Sequence, residues 1–223
     1  QKRYRSSKWL ESIGTGAMKR AGDQIDMEGA LYSLQNQVGM SLHIGASSAL
    51  ALLGRSHYLE IGKREIILFG HEGEKLPKWF TTYSWNSILN YYSSAFLPAG
   101  LGLVDYDVRN FQIKISGPAR AILECLYLAP RDMALTECYE LMEGMNNLRP
   151  SSVQELLESC NSVKVKRLFL FMAKKASHSW YKHINLTKID LGKGKRSIVP
   201  GGIYVPEFEI TVPKELTDHG TTL

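Results

Sequence analysis

From Val165 onward apolar residues recur at i, i+3, i+4, i+7 and i+11 (Leu168, Phe169, Met172, Ala176), the spacing of a single helical stripe. Lys164, Arg167, Lys174 and Lys175 fall in another sector of the same helix, with Phe171 among them. The pattern predicts a helix with an apolar inner face and a cationic outer face, the spine of the main domain. Three helices are expected before it. The first starts at Ser116-Gly117-Pro118, with Ser116 as capping hydroxyl, and turns Ala121, Ile122, Cys125, Leu126 and Leu128 inward. The other two span 135–145 and 151–160.

Between residues 58 and 116 the period changes. Runs at 58–61, 65–69, 88–92 and 111–115 are rich in β-branched and aromatic residues and separated by Gly, Pro and polar turns, which predicts a small mixed or antiparallel sheet. Upstream, Asp26 is placed to cap a helix ending near Gly39, residues 42–44 read as extended, and Ser47 or Ser48 starts a short helix closed by Gly54. Residues 1–13 read as a basic helix, Gly14-Thr15-Gly16 as its break, and 17–20 as a strand. Near the end, 188–191 and 204–213 read as extended, with Pro206 and Pro213 favouring an edge. Sheet followed by helices is an α+β arrangement.

Charge sharpens this picture more than composition does. The 223 residues are 44% hydrophobic and 22% charged, ordinary values, with a net charge of +5. Residues 1–20 hold six cations (Lys2, Arg3, Arg5, Lys8, Lys19, Arg20) against Glu11, and 164–196 hold ten against Asp190 alone, so the remaining chain is net acidic. Two basic regions on an acidic body point to directed contact with polyanions. Helix, Gly-rich tip and basic strand at the N-terminus match the second half of a winged helix-turn-helix.

The chemistry-bearing residues are sparse. Cys125, Cys138 and Cys160 show no Cys-x-x-Cys spacing, which indicates reduced thiols without a disulfide framework or zinc site. Neither a leading hydrophobic segment nor an apolar run long enough to span a bilayer occurs, so the expected location is the cytoplasm, with no membrane partner. His43 and His57 lack a nearby carboxylate, and read as packing residues. Trp79, Phe80, Tyr83 and Trp85 read as sheet packing, with base stacking as the other use of such a cluster. Gly192-Lys193-Gly194-Lys195-Arg196 reads as a mobile basic turn without P-loop spacing. No catalytic motif, metal site or cofactor site is expected, so a non-enzymatic binding protein is the first reading. The alternative is a metal-dependent enzyme acting on nucleic acid with Asp105, Asp107 and one histidine: on a strand two aspartates two apart share a face, although a polar loop is the commoner setting for such a pair.

Several stretches taken in order carry a family likeness: Tyr4 with Ser7-Lys8-Trp9-Leu10-Glu11-Ser12-Ile13-Gly14-Thr15-Gly16-Ala17, then Gly29-Ala30-Leu31-Tyr32-Ser33-Leu34-Gln35, His43-Ile44-Gly45-Ala46 and Leu53-Gly54-Arg55-Ser56-His57-Tyr58-Leu59. Gly117-Pro118-Ala119-Arg120-Ala121-Ile122-Leu123-Glu124, Val165-Lys166-Arg167-Leu168-Phe169-Leu170, Leu191-Gly192-Lys193-Gly194-Lys195-Arg196 and Ile210-Thr211-Val212-Pro213 continue it. Together they resemble the AbiEi family of antitoxins over essentially the whole chain. The resemblance implies a bacterial abortive-infection, type IV toxin–antitoxin system. Its antitoxin counteracts a nucleotidyltransferase-like toxin without a stable complex and represses its own operon at inverted repeats. It divides the chain into 1–22, the recognition helix and wing of a winged helix-turn-helix whose first helices are expected upstream, and 23–223, the antitoxin domain. Lys2, Arg3, Arg5, Ser6 and Lys8 would then lie on or near the recognition helix, and Lys19 and Arg20 on the wing. Lys164, Arg167, Lys174, Lys175, Lys193, Lys195 and Arg196 would form a basic surface on the antitoxin domain. A metal-dependent enzyme acting on the toxin and a pure toxin-binding protein are the remaining alternatives.

Overall fold

The computed structural model describes residues 9–55 and 64–217. The expected strand at 58–61, His57, and Lys2, Arg3, Arg5, Ser6 and Lys8 lie outside the described residues.

The described chain starts with a hairpin, β1 (Leu10–Gly14) antiparallel to β2 (Ala17–Arg20). Residues 10–13 are therefore strand and not the end of a basic helix: four cross-strand pairs outweigh a local helical pattern too short to hold itself. α1 (Met27–Ser33) is capped by Asp26, whose side chain accepts from the Gly29 N–H, and a π-helical turn carries it to Gly39. β3 (His43–Ile44), α2 (Ala46–Leu52) and β4 (Arg64–Gly70) follow, then α3 (Lys78–Thr82), β5 (Ser87–Ser93), β6 (Leu103–Val108) and β7 (Phe111–Ser116).

These strands make one five-stranded sheet in the order β5-β4-β3-β7-β6, parallel at β4/β5 and β3/β7 and antiparallel at β3/β4 and β6/β7. The sheet is mixed, as the strand runs predicted. β6 is a strand that sequence favoured as a polar loop: Asp105 sits opposite Lys114 with an ion pair of 2.7 Å, and Asp107 accepts from Gln112. The two aspartates thus serve the ladder of an exposed edge. Among the described residues no group of three His, Cys, Asp or Glu side chains is placed to hold a metal ion.

Register assigns the two faces, because directly paired residues share a face. Tyr91, Leu68, Ile44 and Ile115 form one row, on the side where Tyr32 of α1 meets Phe111 at 5.1 Å. Tyr92, Phe69 and His43 form the other, against α4 (Pro118–Leu128), where Phe69 meets Tyr127 edge-on. α1 and α4 therefore sandwich the sheet. α5 (Leu135–Glu143), α6 (Pro150–Ser159) and α7 (Val163–Lys175) extend the α4 side into a helical subdomain. This is the α+β order that the sequence predicted.

α7 is the spine in a stronger sense than its stripe implied, because every residue from Val165 to Ala173 is buried, Lys166 and Arg167 included. Its N-cap is Ser162, which accepts from the Val165 N–H. Beyond it, a 3-10 turn at Leu186–Lys188 takes Lys188 out of the extended segment expected at 188–191; Ile189 is extended, but 189–191 joins no sheet. A small sheet in the order β8 (Arg196–Ser197), β10 (Ile210–Val212), β9 (Ile203–Val205) closes on α7 through Phe208, whose ring meets Phe171 at 6.1 Å. Pro206 opens the 3-10 turn between β9 and β10. Trp79, Phe80, Tyr83 and Trp85 do pack, with ring centroids 4.5–5.6 Å apart in successive contacts and the Trp85 indole donating to the Phe80 carbonyl. The three thiols are free and buried, and burial pushes Cys138 up to about 12, which leaves it protonated and inert at neutral pH.

Where α4 meets β3 the sequence reading needs its main structural correction. His43 has a carboxylate partner after all, Glu124, 81 residues away. The fully buried Glu124 accepts from His43 Nε2 (3.0 Å), Arg120 Nε (2.8 Å), Ser116 Oγ (2.7 Å) and the Ala46 N–H (2.9 Å). Ser116 is therefore a donor to this carboxylate and not the helix cap, which is Gly117. Burial alone would raise the Glu124 pKa, but His43, then Arg120 and Ser116, outweigh it and bring it to about 2.

Candidate nucleic-acid interface

Of the candidate contact residues that the structure describes, Arg20 on the N-terminal hairpin, Lys174 on α7, and Lys193, Lys195 and Arg196 in the loop before β8 are exposed. The hairpin is seated on α3 through Gly14. Its backbone has φ +153°, and a Cβ there would lie 2.5 Å from Trp79 Cβ, so only glycine lets the strand approach so closely. Gly14→Val is expected to unseat the hairpin at a local cost of about 1–3 kcal/mol. Hydrogen exchange checks it: hairpin amides should exchange faster while β4 amides keep their protection, and unchanged hairpin protection would show the seat to be unimportant.

On this hairpin Lys19 and Arg20 differ. Lys19 faces Glu11 across the ladder, with an ion pair of 3.3 Å, and donates to the Asp23 carbonyl at 2.6 Å. Arg20, next along the strand, is exposed. Polyanion contact by Lys19 must compete with Glu11, whereas Arg20 meets solvent directly.

The second region is narrower than the seven residues expected. Arg167 is not on a surface: its side chain is 2% exposed, and its guanidinium is filled by the Leu191, Gly192, Gly194 and Glu209 carbonyls and the Glu209 carboxylate. Lys164 is half-buried, its ammonium donating to the Tyr127 and Ala129 carbonyls, and burial pushes its pKa below the usual lysine range. Lys174 pairs with Glu207 at 2.6 Å, and Lys175 lies over the Tyr139 ring at 5.4 Å. These four belong to the framework of α7. Among the described residues, Lys193, Lys195 and Arg196 are exposed without the ion pair that occupies the equally exposed Lys174, and Lys195 rests over Tyr204 at 4.8 Å.

The loop that carries them is held, contrary to the mobile turn expected. Gly192 has φ +64°, and a Cβ there would lie 2.9 Å from Val163 Cγ2. Its N–H donates to Asp190, and the Arg196 N–H donates to the Glu209 carbonyl. The exposed cations at Lys193, Lys195 and Arg196 are thus presented from a backbone fixed at both ends.

A hairpin with a glycine tip and a basic outer strand, seated on a mixed-sheet domain, has the form of a wing. Residues 63–213 match the model described as "Transcriptional regulator, AbiEi antitoxin, Type IV TA system", and residues 1–61 match its companion, the AbiEi antitoxin N-terminal domain. The chain belongs to the AbiEi antitoxin family. AbiEi antitoxins are thereby described as transcriptional regulators of toxin–antitoxin systems. Among solved structures, the Rv2827c protein from Mycobacterium tuberculosis is similar to this AbiEi chain with a TM-score of 0.62 at 11% identity, over 94% of this chain and 77% of that one, a likeness of fold alone. A comparison with curated protein sequences finds no match. Among the described residues of this AbiEi chain, no helix is long and apolar enough to cross a membrane.

Of this arrangement the sequence reading missed Glu209 and put Arg167 on the surface. Glu209 gives no local sign of its partner 42 residues away, and Arg167 was placed by periodicity alone.

Proposed function

We propose that this AbiEi chain is a non-enzymatic, cytoplasmic antitoxin that represses its own operon at inverted repeats. In this reading it counteracts a nucleotidyltransferase-like toxin without forming a stable complex with it. Residues 1–22 complete a winged helix-turn-helix, and 23–223 form the antitoxin domain. The supporting observation is the seated, glycine-tipped hairpin, a sheet of its own beside the five-stranded sheet, with Arg20 turned to solvent. The wing lies along the phosphate backbone, with Arg20 as its main contact and Lys19 joining when phosphate displaces Glu11. Lys2, Arg3, Arg5, Ser6 and Lys8 contribute from the recognition-helix side. Lys193, Lys195 and Arg196 form a second phosphate contact on the antitoxin domain. Backbone contacts of this kind supply affinity and salt dependence and leave sequence discrimination to the groove.

Duplex binding by the full-length protein tests the wing. Arg20→Ala should weaken operator and unrelated duplexes alike, about fivefold to tenfold, and lower the salt slope by about 1. Glu11→Gln should strengthen both severalfold by freeing Lys19. Unchanged operator affinity at low salt in the Lys19→Ala, Arg20→Ala double variant refutes the wing contact. Co-elution of a stable complex with the cognate toxin would replace the type IV reading with direct toxin binding.

A further inference from the structure

A buried arginine whose hydrogen-bonding fork is spent on loop carbonyls calls for a reason, because an apolar side chain of similar volume fills such a space at lower electrostatic cost. Arg167 sits on α7 at 2% exposure, yet it faces one carboxylate, that of Glu209, which is itself 44% exposed. Its remaining bonds go to main chain: Nε to the Leu191 carbonyl (2.8 Å), Nη1 to those of Gly194 (2.7 Å) and Glu209 (3.1 Å), and Nη2 to that of Gly192 (3.3 Å). Three of these carbonyls flank Lys193 in sequence, and Arg196 follows them. Glu209 closes the other side. It holds φ +50°, an uncommon backbone state for a non-glycine residue, while its carbonyl accepts from both Arg167 and the Arg196 N–H.

Without this fork the segment Gly192-Lys193-Gly194-Lys195-Arg196 has two glycines to loosen it and three like charges to spread it. Arg167 inverts that tendency. Its planar guanidinium gathers carbonyls from the loop at 191–194 and from Glu209, while Lys193, Lys195 and Arg196 stay exposed. A lysine ammonium keeps the charge but cannot span the same set of acceptors.

We propose that Arg167 and Glu209 are positioning residues that hold the Lys193, Lys195 and Arg196 loop ready for a phosphodiester backbone. This rests on the reading of that loop as a phosphate contact. Neither residue touches the nucleic acid. Their effect is to remove the ordering cost that a free Gly-Lys-Gly-Lys-Arg segment would meet on binding.

The test compares the full-length protein with Arg167→Lys, Glu209→Gln and the triple variant Lys193→Ala, Lys195→Ala, Arg196→Ala. Hydrogen exchange over residues 191–197 and binding of a labelled mixed-sequence DNA duplex between about 50 and 200 mM salt are measured on each. Arg167→Lys and Glu209→Gln are expected to speed loop exchange while α7 and β4 stay protected. They should weaken the duplex about fivefold to tenfold, with a salt slope between wild type and the triple variant. If the triple variant loses affinity while the two positioning variants bind and exchange as wild type does, the positioning role is overturned and the phosphate contact stands. If the triple variant binds as wild type does, the contact reading fails, and the positioning role with it. Should Arg167→Lys not fold, Glu209→Gln, on a half-exposed side chain, decides the matter by the same two readouts.

Discussion

Replacing Glu124 by glutamine is expected to lower the unfolding free energy by about 3–5 kcal/mol, a large share of the roughly 5–15 kcal/mol typical of a domain. The carboxylate accepts four donors from four segments: β3, the start of α2, the end of β7 and α4 itself. Glutamine offers one carbonyl oxygen and turns an N–H group toward donors, while Arg120, 4% exposed, loses its only carboxylate partner among the described residues. The pH dependence follows from the direction of the shift. The folded pKa, about 2, lies below the usual 4.5, so the stabilisation is complete above 4.5 and is lost as pH falls from there toward 2. Denaturant titrations at neutral and acid pH check both points. Wild type should lose stability across that window, and Glu124→Gln should start lower and respond less to acid. An unchanged midpoint in the variant would show that the cluster does not hold α4 to the sheet.

The largest expected effect on binding belongs to Lys193→Ala, Lys195→Ala, Arg196→Ala. Each phosphate contact contributes about 0.9 to the slope of log affinity against log salt, so removing three should lower that slope by about 2–3. The accompanying loss of duplex affinity is on the order of a hundredfold at low salt. Stability should barely change, since all three side chains are exposed and the bonds that fix the loop are made by Arg167, Asp190 and Glu209. Lys174→Ala is the contrasting control: its charge is already paired with Glu207, so its effect on the slope should be small. The measurement is fluorescence anisotropy of a labelled duplex across a salt series, and equal slopes in wild type and the triple variant would contradict the second contact.

What sequence could and could not reveal divides along the range of the interactions. The α7 period, the Asp26 cap, the strand runs of β4, β5 and β7 and the break at Gly14 to Gly16 are local signals, and the structure places them where local chemistry puts them. The cationic face of α7 failed for a different reason. Periodicity reports which residues share a sector, not how many elements pack around the helix, and here the loop at 191–194 and the turn at Glu209 cover Arg167. The His43 to Glu124 pair is longer in range still. Its one trace in the sequence is Arg120 and Glu124, a charged i,i+4 pair inside an apolar helix, a pattern that should prompt a search for a buried third partner. β6 was obscured by Asp105 and Asp107, which are what an exposed edge strand carries as protection against pairing with other chains.

The central claim, that this AbiEi chain is a regulator acting through phosphate contacts on its wing and its antitoxin domain, is tested most directly by one salt series. Full-length protein would be titrated against a duplex carrying the inverted repeats of its own promoter, beside a variant combining Lys19→Ala and Arg20→Ala with the loop triple. The account predicts tight, strongly salt-dependent binding by wild type, and a combined variant with a slope lower by about 4 and little affinity left at physiological salt. Equal affinity and slope for the two proteins would contradict it.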